Sequence, residues 1–385
     1  MVTPVRCAAL VLLPLVASPQ TPSRPAGAIF SFDSSTAPTT PVPPDRLEAV
    51  TGAAQNVTTI EDRGAAVALL TKARTQSNVR SRPYRLKTSF RSYGSLPSDG
   101  SWSMEDMSPA GLIYRWAAQG PGYSGVNLYT DSTRGLLFSN QPNLVIPTRL
   151  AQVRSAIFFP GAVNPNMAVR TASGVLDGKE QTCLLLSRNL QNQAITGSRN
   201  WLEEEYCVDR ATGLMTTHSV APGLYVHYLY PSAPNFHGLF VATGFEIEQA
   251  GKIIVEAKTE SIADPPDAKD PLFSNAGLTA IGAGEVMSGP TSFADMMPPT
   301  TCMRAKDPSA CLATSTTQVV SLHGTLSPDG QLTDTEVLGA SDPNLVQTAL
   351  TRYSTWKLPG NRAQPGTTPQ THEIFVTLRV IQAGQ

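Results

Sequence analysis

From Tyr84 onward the chain keeps returning to a period of two, and that alternation is the strongest constraint on its fold. Tyr84, Leu86, Thr88 and Phe90 alternate with Arg85, Lys87, Ser89 and Arg91, the pattern of a strand with one buried face. Similar short runs follow at 100–106, 111–118, 125–130 and 135–139, then at 168–176, 179–187, 201–208, 214–220, 223–230, 239–248 and 252–260. Gly, Pro and Asp separate them, which suits antiparallel hairpins. Asp177-Gly178 joins two of the runs and is a strong two-residue turn signal. Helical spacing breaks the series at two places. Glu61–Thr75 sets Ala66, Leu69, Leu70 and Ala73 on one face, and 147–159 opens on Pro147 with Leu150, Val153 and Ile157 in a stripe. Asp45–Gln55 is a weaker helix signal. The chain holds 32 prolines and 29 glycines, and proline is poorly tolerated inside helices. A β-dominated fold follows.

With 385 residues the chain has length for two or three domains. Met1–Arg6 carries one positive charge, and Cys7–Ala17 is an apolar run of about eleven residues followed by polar, Pro-rich sequence. That order is the order of a secretory signal, and the run is shorter than the ~20 residues of a membrane span. Residues 1–17 are read as the signal, with cleavage near Ala17–Gln20, and 18–44 as a Pro/Ser/Thr-rich linker. The mature protein is expected to be periplasmic. Lys+Arg is 29 and Asp+Glu is 30, a balance that excludes a strongly basic nucleic-acid binder.

Loss of the signal removes Cys7 and leaves Cys183, Cys207, Cys302 and Cys311. An even number in an exported chain reads as two disulfides, with three pairings open. Cys183–Cys207 and Cys302–Cys311 close short loops and are the favoured pairing. A zinc site is the rival, but no CxxC-type spacing is present. If 179–187 pairs with 201–208, Cys183 sits opposite Cys207 beside Glu203 and Glu205, while Leu184, Leu186, Leu202, Tyr206 and Val208 share the other face.

Residues 263–316 lose the alternation and are read as a linker. A third unit follows. Strand 318–326 meets the Ser327-Pro328-Asp329-Gly330 turn, strand 331–338 returns, and Asp342-Pro343 opens a helix with Leu345, Ala349, Leu350 and Tyr353 on one face. Trp356 to Pro359 ends it, and 372–380 is the last strand. The order is ββαβ. This stretch resembles the TonB C-terminal domain in the VVSLHGTLSPDGQLTDTEVL run from Val319, the helix, and EIFVTLRV. The Tyr-Pro pair that often opens such domains is missing, and so is a transmembrane anchor. The resemblance implies β-augmentation, in which a peptide from an outer-membrane transporter or other envelope protein adds to the last strand. The docking residues would be His372, Glu373, Ile374, Phe375, Val376, Thr377, Leu378 and Arg379.

Residues 60–260 resemble the lipoprotein carriers LolA and LolB in the order of helix, strands, helix and strands. That resemblance implies a deep incomplete β-barrel with helices over its open side and an apolar cavity for a lipid or acyl chain. The cavity would be bordered by Leu86, Phe90, Tyr114, Trp116, Leu128 and Tyr228, and a filled barrel serving as a scaffold is the alternative. The expected fold class is thus mainly β with α+β, a large antiparallel incomplete barrel at 45–262 and a small ββαβ domain at 317–385.

No catalytic set emerges. Gly120 to Gly125 matches GxGxxG, but a strand-like run follows where a dinucleotide site needs a helix, so a hairpin loop is expected. His218, His227 and His237 have no compact zinc spacing. Glu203-Glu204-Glu205 reads as a solvated strand face. No cofactor and no metal is expected. The reading is a non-enzymatic envelope protein that binds a peptide and a lipid. A structural adaptor and a secreted hydrolase with an unrecognised site are the alternatives.

Overall fold

The computed structural model describes residues 31–32 and 54–382, except 95, 97, 111–112, 131–135, 142–145, 159–166, 188–202, 222, 251, 284–290, 298–315, 328–329, 341 and 355–371. The signal at 1–17, most of 18–44 and of Asp45–Gln55, Leu202, and Cys302 and Cys311 lie outside the described residues.

Two short strands come first, β1 (Ser31–Phe32) and β2 (Gln55–Asn56), then helix α1 (Ile60–Ser77). Thr59 caps α1, its hydroxyl accepting from the Asp62 amide at 3.0 Å and donating to the Asp62 carboxylate at 2.7 Å. A first meander holds β3 (Tyr84–Ser92), β4 (Gly100–Ala110), β5 (Ile113–Gly120), β6 (Tyr123–Tyr129) and β7 (Leu136–Ser139). Helix α2 (Thr148–Phe158) leads to a second meander. It contains β8 (Ala168–Leu176), β9 (Lys179–Ser187), β10 (Glu204–Asp209), β11 (Met215–Ala221), β12 (Leu224–Leu229), β13 (Gly244–Gln249) and β14 (Lys252–Ala263). The β8–β9 turn is Asp177-Gly178, with φ of 49° and 74°, the left-handed pair that a two-residue hairpin uses. GxGxxG is the β5–β6 hairpin. A Cβ on Gly120 would meet the Trp102 ring at 2.1 Å, so the indole packs flat on bare backbone there.

β14 pairs with β3 and joins the two meanders into one antiparallel sheet of 14 strands, ordered β15-β7-β6-β5-β4-β3-β14-β13-β12-β11-β10-β9-β8-β2, where β15 is Thr279–Ala283. The sheet does not close into a barrel. Leu137 on β7 and Val169 on β8, far apart in strand order, nonetheless belong to one apolar cluster. The sheet therefore wraps around that cluster, and α1 and α2 cover it with Ala66, Leu70, Ala73, Leu150, Val153 and Ala156.

The last part of the chain forms a five-stranded sheet. Its strands are β16 (Thr291–Met297), β17 (Thr316–Leu326), β18 (Gln331–Ala340) and β19 (His372–Gln382) together with β1, in the order β1-β18-β17-β19-β16. Helix α3 (Asn344–Ser354) packs Leu345, Ala349, Leu350 and Tyr353 with Ile374, Val376 and Leu378. The ββαβ order expected from the sequence is present.

Residues 263–316 are more than a linker, because β15 completes the edge of the large sheet and β16 that of the small one. This corrects the reading of β19. The last strand is not an accessible edge. β17 pairs along one side of it and β16 runs parallel along the other, from Thr291 opposite Ile374 to Met297 opposite Val380. An open edge of N–H and C=O groups is satisfied by any extended backbone, and here the chain's own 291–297 supplies it. Pairing of that kind leaves little trace in side-chain alternation.

The two sheets touch. Leu338 of β18 belongs to the apolar cluster of the large domain. Gln249 Nε2 lies 2.9 Å from His323 Nδ1 and donates to Glu336 at 2.8 Å. Gly223 holds φ +81° where an added Cβ would sit 3.0 Å from the Leu338 carbonyl oxygen, so conformation and contact both require glycine.

Candidate functional site

The space between α2 and the wrapped sheet is where the fold brings apolar surface and buried charge together. Leu150, Val153 and Ala156 point one stripe of α2 into the cluster, but Arg149, Gln152 and Arg154 are buried as well. A helix buried around most of its circumference needs partners for its polar groups. Arg149 Nε pairs with Asp99 at 2.8 Å, and its Nη1 donates to Gln152 at 3.1 Å. Arg154 Nη1 pairs with Asp106 Oδ2 at 2.8 Å. Its guanidinium lies 4.1 Å from the centroid of Trp116. Tyr84 donates its hydroxyl to the other Asp106 oxygen. Near the end of α2, the Tyr228 hydroxyl donates to the Ala156 carbonyl at 2.8 Å. Arg80 stacks over Phe158 at 4.5 Å and Tyr114 at 5.2 Å.

Beneath the second half of α2 is a cavity of about 40 Å3, lined by residues including Leu86, Ala156, Ile157, Tyr228, Val241 and Phe245. That is space for a few waters at ~10–15 Å3 each, too little for an acyl chain, so a chain-like ligand enters only if the lining moves. The lining keeps its phenols neutral. Burial pushes Tyr228 well above the usual phenol value, and Tyr230 is pushed up to about 12 by burial, against the opposing bond to Ser77. Burial, then the Asp106 charge, raises Tyr84, while Arg80 opposes. A second recess of about 560 Å3 lies between α1 and strands β2, β8 and β9, with Ala65, Leu69, Asp62 and Arg210 among its walls.

Of the residues expected to border a cavity, Leu86, Phe90, Trp116 and Tyr228 lie in the central cluster and Tyr114 packs half-buried against it. Leu128 does not. It is buried on the outer face with Met107 and Phe273, because residues 271–278 fold over that side. The inward phase of β6 carries Tyr123, Asn127 and Tyr129, with Asn127 opposite Trp116. The residues missed were Asp106, Asn127 and Arg154. Asp106 had a legible sign, since it shares strand phase with Trp102 and Met104.

Cys183 and Cys207 are directly opposite and disulfide-bonded. The face they share is not solvated as expected. Glu203 and Glu205 are buried beside the bridge, and Glu203 takes two bonds of 2.8 Å from Arg170. Neutralisation by Arg170 is what allows the Glu203 carboxylate to be buried. Glu204, on the opposite face, accepts from Tyr206 at 2.5 Å. Among the described residues, Cys183, Glu205 and Cys207 come close enough together for a metal, but the two sulfurs are bonded to each other.

The three histidines go separate ways. His218 stacks on Tyr206 at 4.6 Å, His227 lies 3.7 Å from Glu248, and exposed His237 lies 2.6 Å from Asp264. In β19, Ile374, Val376 and Leu378 point into the small core, and the strand meets its neighbours through backbone from His372 to Gln382. The side chains of His372, Glu373, Phe375, Thr377 and Arg379 lie outside the described residues. No helix among the described residues is long and apolar enough to cross a membrane.

No family model matches the chain, and no curated protein matches it. Solved structures are similar to it over about half of its length, among them the following two. A LolA-superfamily protein from Nitrosomonas europaea is 12% identical, with 54% of this chain and 96% of that one covered and a TM-score of 0.37. An outer membrane lipoprotein-sorting protein domain from Vibrio parahaemolyticus is 7% identical, with 55% and 96% covered and a TM-score of 0.33. Neither is a TonB C-terminal domain.

Proposed function

We propose that this is a non-enzymatic periplasmic protein that binds one acyl chain between α2 and the inner face of the open sheet. The observation that carries the reading is the position of the apolar cavity. It lies under a helix rather than inside a closed barrel, so a ligand reaches it by movement of one element. Pockets of this kind are mostly apolar with a few placed polar groups, and Leu86, Phe245 and Val241 beside Tyr228 fit that description. The buried disulfide suits an oxidising compartment.

Titration of the delipidated protein with cis-parinaric acid tests the reading. Saturable binding near one per chain is expected, and Ala156→Phe, which fills the cavity, should weaken it by at least about 10-fold, as loss of more than ~1.4 kcal/mol would. A folded protein with no saturable binding overturns it.

The second reading is a structural adaptor with a filled interior, favoured by the small size of the cavity. Crosslinking in envelope extracts, with a stable protein partner and no lipid recovered, would support that reading. Peptide addition to β19 is not carried forward, because β16 holds that edge.

A further inference from the structure

We infer that the connection between β12 and β13, residues 230–243, is the flap that opens the cavity under α2, and that the contact of His237 with Asp264 is its latch. The inference deepens the acyl-binding reading above and rests on it for what enters. Most of the lining is fixed. Leu86, Met215, Tyr228, Phe245 and Thr259 come from β3, β11, β12, β13 and β14, each paired with a strand on both sides. Ala156 and Ile157 come from α2. That helix is pinned by Arg149 to Asp99 and by Arg154 to Asp106, and none of these side chains is more than 8% exposed. Separating buried ion pairs strands charges away from water, so α2 is a costly element to lift. Ser77 and Val79 lie at the end of α1, which Leu70 and Ala73 hold in the core. Tyr230, Val241 and Ala242 remain, and they belong to the β12–β13 connection, which no strand ladder holds.

This connection is built to move as a unit. Phe236 and Leu239 pair across a two-residue turn, with His237 and Gly238 at φ of 45° and 80°, the left-handed pair of a tight hairpin. The Asn235 side chain accepts from the Val241 amide at 2.8 Å and donates to the Val241 carbonyl at 3.0 Å. At the base, the Thr243 amide donates to the Leu229 carbonyl at 2.8 Å, where the β12–β13 ladder begins. The ties across to neighbouring elements are slight by comparison. The Phe240 amide donates to the Gln76 carbonyl at 2.9 Å, and exposed His237 lies 2.6 Å from Asp264, just past the end of β14. Phe236, Leu239 and Val241 sit in the central apolar cluster and keep the flap shut at rest. Internal bonds that survive opening, with few to break, are what a gating loop needs.

Stopped-flow binding of cis-parinaric acid, together with amide hydrogen exchange of the ligand-free protein, tests this. Asp264→Ala should speed association and dissociation alike, by about 2- to 5-fold, the range that an exposed ion pair covers, and leave the affinity as it is. Asp99→Asn, which loosens α2, should speed neither. If Asp264→Ala leaves both rates unchanged, or Asp99→Asn alone raises them, the inference is wrong while chain binding stands. Without ligand, the amides of Phe240 and Val241 should exchange together, faster than those of α2, and faster again in Asp264→Ala. Exchange of the α2 amides ahead of them overturns the flap by itself. If the probe does not bind, the acyl reading fails, and the exchange result alone decides whether residues 230–243 open.

Discussion

Arg154 of α2 and Asp106 of β4 form an ion pair at 2.8 Å in which neither side chain reaches solvent. The pair fixes the covering helix over Trp116, whose ring carries the guanidinium. Desolvating both charges is costly, so the geometry adds specificity of placement more than stability. Removing one partner should be far worse than removing both. Asp106→Ala should cost ~3–5 kcal/mol, read as a shift in the urea midpoint. The triple change Tyr84→Phe, Asp106→Leu and Arg154→Met should regain most of it. Equal losses in the single and triple variants would mean that the pair itself is strongly stabilising.

The Cys183–Cys207 bridge crosses adjacent strands and closes a loop of sequence separation 24. Changing both cysteines to serine should cost ~2–4 kcal/mol. Peptide mapping without reduction should find these two joined. A map that joins either to Cys302 or Cys311 would refute the arrangement.

Stability should fall at alkaline pH. Burial raises Tyr228, Tyr206 and Tyr84 well above the ordinary value and Tyr230 to about 12. A phenol whose pKa is higher folded than unfolded binds its proton more tightly in the native state. Its contribution is complete below the unfolded value near ~10 and is lost as pH rises from there through the folded value. Urea midpoints should be flat from pH 7 to 9 and drop steeply between 10 and 12. Absorbance at 295 nm should show these tyrosines ionising only with unfolding.

Because β19 is paired on both sides, its amides should exchange slowly in the free protein, and no added extended peptide should change that. Thr377→Pro removes one ladder N–H, leaving an acceptor unsatisfied, and should cost ~1–3 kcal/mol. Fast exchange along alternate β19 amides would show that β16 does not hold the edge.

Local chemistry made much of this fold legible. Tyr84 to Phe90 alternate, and the strand is there. Asp177-Gly178 adopts the left-handed angles its turn needs. Leu150 and Val153 form the buried stripe of α2 as their spacing indicates. Cys183 meets Cys207 because a hairpin register and a two-residue period fix both positions.

Burial of a given face was decided elsewhere in the chain. β6 carries apolar residues in both phases, so alternation could not say that Asn127 faces inward and Leu128 outward. The segment around Phe273 settled it by covering Leu128. Glu203 looked solvated because Arg170, 33 residues earlier, is its neighbour only across the sheet. The strands at 279–283 and 291–297 exist because β7 and β19 present edges to them. Sequence patterns report what side chains prefer over a few residues. Edge pairing uses backbone groups that nearly every residue carries alike, and burial depends on which distant segment arrives, so both belong to the tertiary structure alone.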